Sequence, residues 1–168
     1  MTLEEAKMQF IEAWGRFGSN WGINRTMAQV HALLLISSEP LSAEDIMESL
    51  SISRGNSNMN LRALLDLNLV YKSLKPGQRR EFFIAEKNMI KVVRQIALHR
   101  KKKELEPVLQ FLEDVKQIDE ADDNKKEKAN FLQTVEDIEL FAQKADKLIE
   151  ILIAADADWI MSSFIKFV

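Results

Sequence analysis

Residues 41–68 contain two short helical patterns separated by only three residues, and this spacing restricts the fold more than any other feature of the chain. Ser42 is predicted to cap the first helix, because its hydroxyl can accept a hydrogen bond from an exposed backbone amide. Residues 51–53 form the connection, and Ser53 is predicted to cap a second helix that runs to about Leu67. A short helix, a tight turn and a longer helix are typical of a helix-turn-helix.

Two β-prone segments follow this motif. They comprise residues 69–74 and 79–85, and the Pro-Gly pair at 76–77 is a strong turn signal between them. Phe82 and Ile84 are expected to point inward, because alternate residues of a strand share one face. A two-stranded hairpin directly after a helix-turn-helix is a wing, so residues 26–87 are predicted to form a winged helix-turn-helix domain.

The region before the motif has the periodicity of two helices. The first is predicted over residues 3–17, with Gly18 as its stop. Its apolar residues recur at helical spacing: Leu3, Ala6, Phe10, Trp14 and Phe17. Thr26 and Gln29 have the spacing of a capping box for a second helix that extends to about Ser37.

The C-terminal half is predicted to be helical as well. Residues 88–118 read as helix, with Pro107 breaking or kinking it near Leu105, and residues 119–124 read as an acidic loop. The last helix carries a heptad seam that is apolar except at Asp156: Phe131, Val135, Ile138, Ala142, Ala145, Ile149, Leu152, Asp156 and Trp159. Such a stripe packs on its own domain, on a partner subunit or on both, and dimerisation is the preferred interpretation.

The net charge of −3 conceals a strong segregation along the chain. Residues 54–103 hold 13 basic and three acidic side chains, a net charge of +10, whereas residues 1–53 sum to −4 and residues 104–168 to −9. A basic centre between acidic flanks is typical of a phosphate-binding face. Clustering on a solvated face is the alternative that charge alone leaves open.

Composition argues against an enzyme, a cofactor or a metal site. The chain has no cysteine, five glycines and two histidines, and it contains neither a phosphate-binding glycine loop nor a zinc-protease motif. His31 is expected to be packed or at the edge of an apolar helix, and His99 to be solvated. The N-terminus lacks the features of a secretory signal, and no apolar run is long enough for a membrane span, so a cytoplasmic protein without membrane contact is expected.

The second helix of the motif is the candidate for reading DNA. A helical wheel places its core side on four residues: Ser57, Leu61, Leu64 and Leu65. The opposite face carries small and amide residues, with Arg62 on its flank: Gly55, Asn56, Met59, Asn60 and Ala63. Asparagine can pair with adenine, small residues allow close approach to bases, and methionine can meet a thymine methyl group. The alternative is a merely polar, weakly helical surface.

The wing supplies the candidate phosphate contacts. Its long polar side chains are Lys72, Lys75, Gln78, Arg79 and Arg80. Arginine at a wing tip can enter a minor groove or hold a phosphate, and Arg54 at the helix start could add a further contact. The alternative is a charged hairpin that keeps the protein in solution.

These segments resemble the GbsR branch of the MarR-type regulators. The resemblance lies in five stretches: Leu41–Ile46, Ser53–Asn56, Met59–Arg62, Leu69–Val70 and Arg79–Phe83. It implies a homodimer joined through its terminal helices that binds double-stranded DNA at a palindromic operator, usually as a repressor that a small-molecule effector releases. Residues 1–25 would then contribute to dimerisation, and residues 88–168 to dimerisation and effector binding.

The ligand site remains unassigned at this level. Trp14, Trp21 and Trp159 could wall an aromatic cage for an ammonium ligand, but packing in the dimer core is the preferred interpretation of each. Two other classes of function stay open: a winged-helix adaptor that binds proteins without sequence-specific DNA binding, and a carrier of small ligands.

Overall fold

The computed structural model describes residues 1–20, 22–74, 77, 80–118 and 125–154, and of Leu152 only the backbone. The elements follow one another in this order: α1 (Leu3–Asn20), α2 (Arg25–Ile36), β1 (Leu41–Ser42), α3 (Ala43–Leu50), α4 (Arg54–Asp66), β2 (Val70–Ser73), β3 (Phe82–Ala85), α5 (Met89–Arg100), one turn of π-helix (Lys101–Leu105), α6 (Glu106–Val115) and α7 (Lys125–Ala154). They form two compact units, Met1–Val92 and Val93–Val168. The predicted fold class, mainly α-helical with a small β-wing, is confirmed.

The first unit is built on a close approach of α1 to α2, and this corrects the role predicted for Gly18. Gly18 does not stop α1 but lies buried within it, two residues before its end at Asn20. A Cβ on Gly18 would lie 2.6 Å from the Cβ of Ala28, which is closer than real side chains approach. The glycine is therefore explained by helix packing rather than by helix termination.

Helix α2 has different caps from those predicted. Its N-cap is Asn24, whose side chain accepts from the amide of Met27, so the predicted capping box of Thr26 and Gln29 is wrong. Asn24 lies one residue before the first helical residue, which is the position where an Asn oxygen reaches the free amides of the first turn. The C-cap is Ser37, as the predicted end of the helix indicated.

The wing sheet has three antiparallel strands in the order β1-β3-β2, one more than predicted. Leu41 pairs with Phe83, and Val70 pairs with Ala85. Phe82 is buried as expected, but Ile84 is 38% exposed, and Phe83 and Ala85 are buried instead. The predicted inward role of Ile84 is wrong because α2 packs against β3, and Phe83 and Ala85 share one face of that strand.

In the second unit, Pro107 interrupts the helix as predicted. Pro107 lies at the start of α6 and lacks an amide hydrogen, and the residues before it form the π-helical turn, in which the amide of Glu106 donates to the carbonyl of Lys101. Lys101 also binds α7 through ion pairs to Asp146 (2.9 Å) and Glu150 (2.5 Å). Hydrogen bonds to these two carboxylates raise the pKa of Lys101.

The heptad seam of α7 is only partly covered by its own unit. Val135 and Ala142 are buried, whereas Phe131 is 44% and Ile138 49% exposed. The seam residues Asp156 and Trp159 and the predicted acidic loop lie outside the described residues. Among the described residues, no helix is long and apolar enough to cross a membrane, and no three His, Asp or Glu side chains are grouped to hold a metal ion.

Candidate nucleic-acid interface

The helix-turn-helix begins at a reciprocal cap on α3. The hydroxyl of Ser42 accepts from the amide of Asp45 (3.2 Å), and the carboxylate of Asp45 accepts from the amide of Ser42 (2.8 Å). Such a capping box satisfies two free donors at once and fixes the point where the chain enters the helix. The predicted cap at Ser42 is confirmed.

The turn between α3 and α4 is equally well defined. Ser51 adopts a left-handed conformation with φ of 51° at the end of α3. Ser53 caps α4 by accepting from the amide of Asn56 at 3.2 Å, as predicted, and Asn68 after α4 has a φ of 54°. These local signals set where α4 starts and stops, and therefore which of its residues face outward.

One side of α4 anchors it to the rest of the unit. Ser57 is fully buried, and its hydroxyl donates to the backbone oxygen of Ala43 at 3.4 Å, next to the start of α3. Leu61 and Leu64 are also buried, while Leu65 is half-buried. The predicted core side is confirmed, and it holds α4 against α2, α3 and β2.

Asn60 lies on this inner side, and the prediction that it is exposed is wrong. It is 2% exposed, and its Nδ2 donates to the backbone oxygen of Asn56 (2.8 Å) and to the Oδ1 of Asn56 (2.6 Å). Asn60 stands three residues after Ser57 and four before Leu64, the spacing that places side chains on one helix face. Asn60 was predicted to be exposed because its side chain is polar, and this prediction ignored its position on the buried face.

The outer side of α4 presents most of the other predicted residues. Exposed on it are Arg54, Gly55, Asn58, Met59 and Arg62, and half-buried beside them are Asn56 and Ala63. Asn58 was not predicted, although its position between Gly55 and Arg62 at helical spacing could have revealed it. This face contains two cations and no carboxylate until Asp66 at the end of the helix.

Several of the predicted cations have acidic partners within the chain. Arg54 approaches Glu44 at 3.4 Å, and Lys72 of the wing pairs with Glu81 at 2.5 Å. All four side chains are largely exposed, so these pairs contribute little to stability and can be exchanged for other anions. Arg80 is exposed as well, whereas Lys75, Gln78 and Arg79 lie outside the described residues.

His31 is packed, as predicted, behind α1. It is 4% exposed, its ring centroid lies 6.4 Å from that of Trp14, and its Nε2 has no hydrogen-bond partner in the described part of the chain. Burial, with a smaller contribution from the charge of Lys87, lowers the pKa of His31 to about 4. His99, predicted to be solvated, is half-buried, and Trp21 and Trp159 lie outside the described residues.

A model of the MarR family matches residues 21–81, the stretch that contains α2, the helix-turn-helix and the first wing strand, β2. The winged-helix part of this chain belongs to the MarR family. The match names the family and no branch of it, so the GbsR assignment stays a prediction. The interface described above lies entirely within the MarR domain.

The comparison with solved structures covers most of the chain. A crystal structure of a transcriptional regulator is 15% identical with a TM-score of 0.66, over 88% of this chain and 95% of that one. A mutant of S. aureus MepR bound to an oligodeoxyribonucleotide is 20% identical with a TM-score of 0.41, over 80% and 91%. The first similarity extends the fold assignment beyond residue 81. No curated protein sequence matches the chain significantly.

Proposed function

We propose that this chain is a sequence-specific DNA-binding transcription regulator that acts as a homodimer on a palindromic operator. In each subunit, the outer face of α4 enters a major groove, and the wing holds the flanking backbone. The observation that carries the proposal is the set of residue types on this face of α4. These residue types lower the stability of a helix, and the packing of the chain does not require them.

Gly55 is the clearest example of a residue that weakens α4 without being required by packing. A Cβ added to Gly55 would meet nothing within 4 Å, so the packing of the chain does not require a glycine there. Glycine and asparagine both weaken a helix relative to alanine, yet Gly55 and Asn56 occupy its first turn. A missing side chain at an exposed helix start is useful where a large ligand approaches the backbone closely, as a base pair does in a major groove.

Three further residues extend the same face. Met59 is 58% exposed on the same face, and a thymine methyl group is a suitable contact for its side chain. Asn58 adds an exposed amide beside Arg62, whose own partner is phosphate or guanine. Asn56, Asn58 and Met59 are therefore assigned to sequence recognition. Arg54 and Arg62 are assigned mainly to affinity.

The wing completes the proposed site through charge. Lys72 and Arg80 lie on or beside the strands and are exposed, and the predicted site extends to Lys75, Gln78 and Arg79. DNA phosphates can replace Glu81 and Glu44 as partners of Lys72 and Arg54, because exposed ion pairs are weak. These contacts supply binding energy that depends on salt and carries no sequence information.

Apolar side chains left uncovered on the terminal helices support the homodimer. On α1 the exposed ones are Leu3, Met8, Phe10 and Phe17, and on α7 they are Phe131, Ile138, Leu140, Phe141, Leu148 and Ile151. Exposed apolar side chains in such numbers on one helix make each of these helices a candidate protein interface. A second copy of the same chain is the proposed partner, because a two-fold dimer matches the symmetry of a palindromic operator.

The remaining assignments follow the family. Residues 26–87 bind DNA, residues 1–25 and 88–168 form the dimer, and the latter segment also receives a small-molecule effector that releases a repressor from its operator. The regulator acts in the cytoplasm and has no catalytic role. The GbsR branch remains part of this proposal.

Selection from a random duplex library at physiological salt tests the proposal. The native protein is expected to enrich an inverted repeat whose half-sites are about one helical turn apart. A triple variant, Asn56→Ala, Asn58→Ala and Met59→Ala, is expected to lose most of this preference while retaining salt-dependent binding, because the wing and arginine contacts remain. Gln110→Ala, an exposed change on α6, serves as a control and should select the native sequence.

The salt dependence of DNA binding distinguishes the contribution of the wing from that of α4. A Lys72→Ala, Arg80→Ala variant should bind all sequences more weakly and reduce the slope of log affinity against log salt by about 3.6, as expected for two lost phosphate contacts in each subunit of the dimer. A Lys125→Ala, Lys126→Ala variant removes the same charge from α7 and should retain the slope. If the native protein enriches no sequence, regulation is excluded and a protein-binding adaptor becomes the better assignment.

A further inference from the structure

Among the predicted DNA contacts that the structure describes, the amide of Asn60 is the one that is buried. Its side chain is 2% exposed, and both hydrogen bonds described for it end on the same residue, Asn56, one helical turn earlier. Asn56 is half-buried at the border of the outer face. Asn60 therefore lies one helical turn after Asn56, on the buried side of the helix.

The two hydrogen bonds fix the orientation of both amides. A backbone carbonyl can only accept, so the atom of Asn60 that lies 2.8 Å from the backbone oxygen of Asn56 must be its nitrogen. The same nitrogen lies 2.6 Å from the Oδ1 of Asn56 and needs an acceptor there as well. Rotating the amide of Asn56 would bring two donors together. The backbone oxygen of Asn56 thus fixes the orientation of the Asn60 side-chain amide. The Asn60 amide in turn fixes the orientation of the Asn56 side-chain amide.

The orientation leaves Asn56 with a donor to offer. Its Oδ1 faces Asn60, while its Nδ2, on the other branch of the planar amide, points away and has no hydrogen-bond partner in the described part of the chain. An asparagine that reads adenine uses both atoms, since its oxygen accepts from N6 and its nitrogen donates to N7. Guanine instead offers two acceptors, N7 and O6, on its major-groove edge.

We propose that Asn60 is a positioning residue that holds the amino group of Asn56 toward DNA, so that Asn56 selects guanine rather than adenine. The inference rests on the proposed function, because it assigns a base to a helix that must first enter the major groove. It also explains why an asparagine is found on the buried side of α4, where an apolar residue would serve packing better.

Base preference in the selected operator tests the pairing. The relevant base pair is the one whose preference disappears in Asn56→Ala, and the native protein is expected to prefer guanine there over adenine by about tenfold. Asn56→Asp keeps the acceptor toward Asn60 but replaces the outward amino group by an oxygen, so preference should move to cytosine, whose N4 donates. Asn60→Leu frees the amide of Asn56 to rotate, and the preference for guanine over adenine should fall to about twofold or less.

Asn58→Ala is the matched control for these variants. It removes an exposed amide from the same helix without touching the hydrogen bonds between Asn56 and Asn60. The preference for guanine at the Asn56 position should therefore stay about tenfold in this variant, even if preference at another base pair is lost. A loss at the Asn56 position in Asn58→Ala would assign that base pair to the wrong asparagine and overturn the inference.

A measurement without DNA keeps the inference falsifiable if the leucine variant does not fold. In the free native protein, NMR should show the side-chain amide protons of Asn60 protected from solvent exchange and those of Asn56 unprotected. Preference for any base other than guanine at the Asn56 position overturns the inference, as does an Asn60→Leu protein with native preference. Both of these outcomes leave the regulator intact, whereas a native protein that selects no sequence overturns the regulator as well.

Discussion

The ammonium nitrogen of Lys87 donates to the backbone oxygen of Ser37 across 2.8 Å, although 50 residues separate them in the chain. The same nitrogen donates to the carbonyls of Leu34 (3.1 Å) and Leu35 (2.5 Å). These three oxygens lie at the C-terminal end of α2, where carbonyls lack helical partners and a positive charge is favourable. The segment after β3 is thereby fastened to α2, the helix on which α4 packs.

Lys87→Met is expected to lower the free energy of unfolding by about 1–2 kcal/mol, because the carbonyls at the end of α2 lose a charged donor while the aliphatic part of the side chain is kept. Urea unfolding measures the change. Lys91→Met removes an exposed charge that lies 3.8 Å from Glu86 and should change stability by less than about 0.5 kcal/mol. If both variants lowered the free energy of unfolding equally, the proposed capping of α2 by Lys87 would be refuted.

Gly18→Ala is expected to destabilise the protein by about 1–3 kcal/mol, although alanine is the better helix former. The cause is the 2.6 Å separation that its Cβ would have from the Cβ of Ala28. Adding Ala28→Gly removes the second carbon, so the double variant should be more stable than the sum of the single changes predicts. Additive free energies of unfolding would show that α1 and α2 do not meet at this point.

His31 should make stability depend on pH between about 4 and 6.5. Its folded pKa of about 4 is below the ordinary 6.5, so the unfolded chain binds more protons in this window, and stability falls as the pH falls. The fall from pH 7.5 to pH 5 should be about 2 kcal/mol greater in the native protein than in His31→Gln. A His31→Gln protein that retains the native pH dependence of stability would refute the assignment.

Gly55→Ala separates stability from DNA binding. The added Cβ meets nothing within 4 Å, so alanine should raise the free energy of unfolding by about 0.5–1 kcal/mol through its helix propensity. Affinity for the selected operator should nevertheless fall, because the Cβ occupies space next to the DNA. Asn130→Ala, on the exposed side of α7, should stabilise the protein without changing affinity. Unchanged binding by Gly55→Ala would remove this residue from the interface.

Ile138→Lys tests the proposed dimer. A charge within the exposed part of the α7 seam should weaken self-association at least about tenfold, since a buried unpaired lysine is costly. Sedimentation equilibrium measures the dissociation constant. Gln143→Lys adds the same charge to an exposed position of α7 outside the seam and should dimerise as the native chain does. A monomeric native protein would refute the homodimer directly.

Local chemistry in the sequence determined the helix-turn-helix. The caps at Ser42 and Ser53, the left-handed Asn68 and the helix break at Pro107 all depend on a residue and its near neighbours in the chain, so they could be read without the fold. The charge segregation and the inner residue Ser57 also followed from the sequence, because helical periodicity is a property of the sequence itself.

Tertiary contacts decided what periodicity could not. Glycine often ends a helix, so Gly18 was predicted to stop α1. In the fold, Gly18 instead lies where α2 packs closely against α1. The strand β1 is two residues long and exists only because β3 pairs with it. Asn60 looks like a surface residue by its polarity, yet Asn56 supplies the acceptors that allow its burial. The deciding partners of Gly18 and β1 lie in other elements, and the burial of Asn60 depends on how α4 packs, because burial follows from which surfaces the fold brings together.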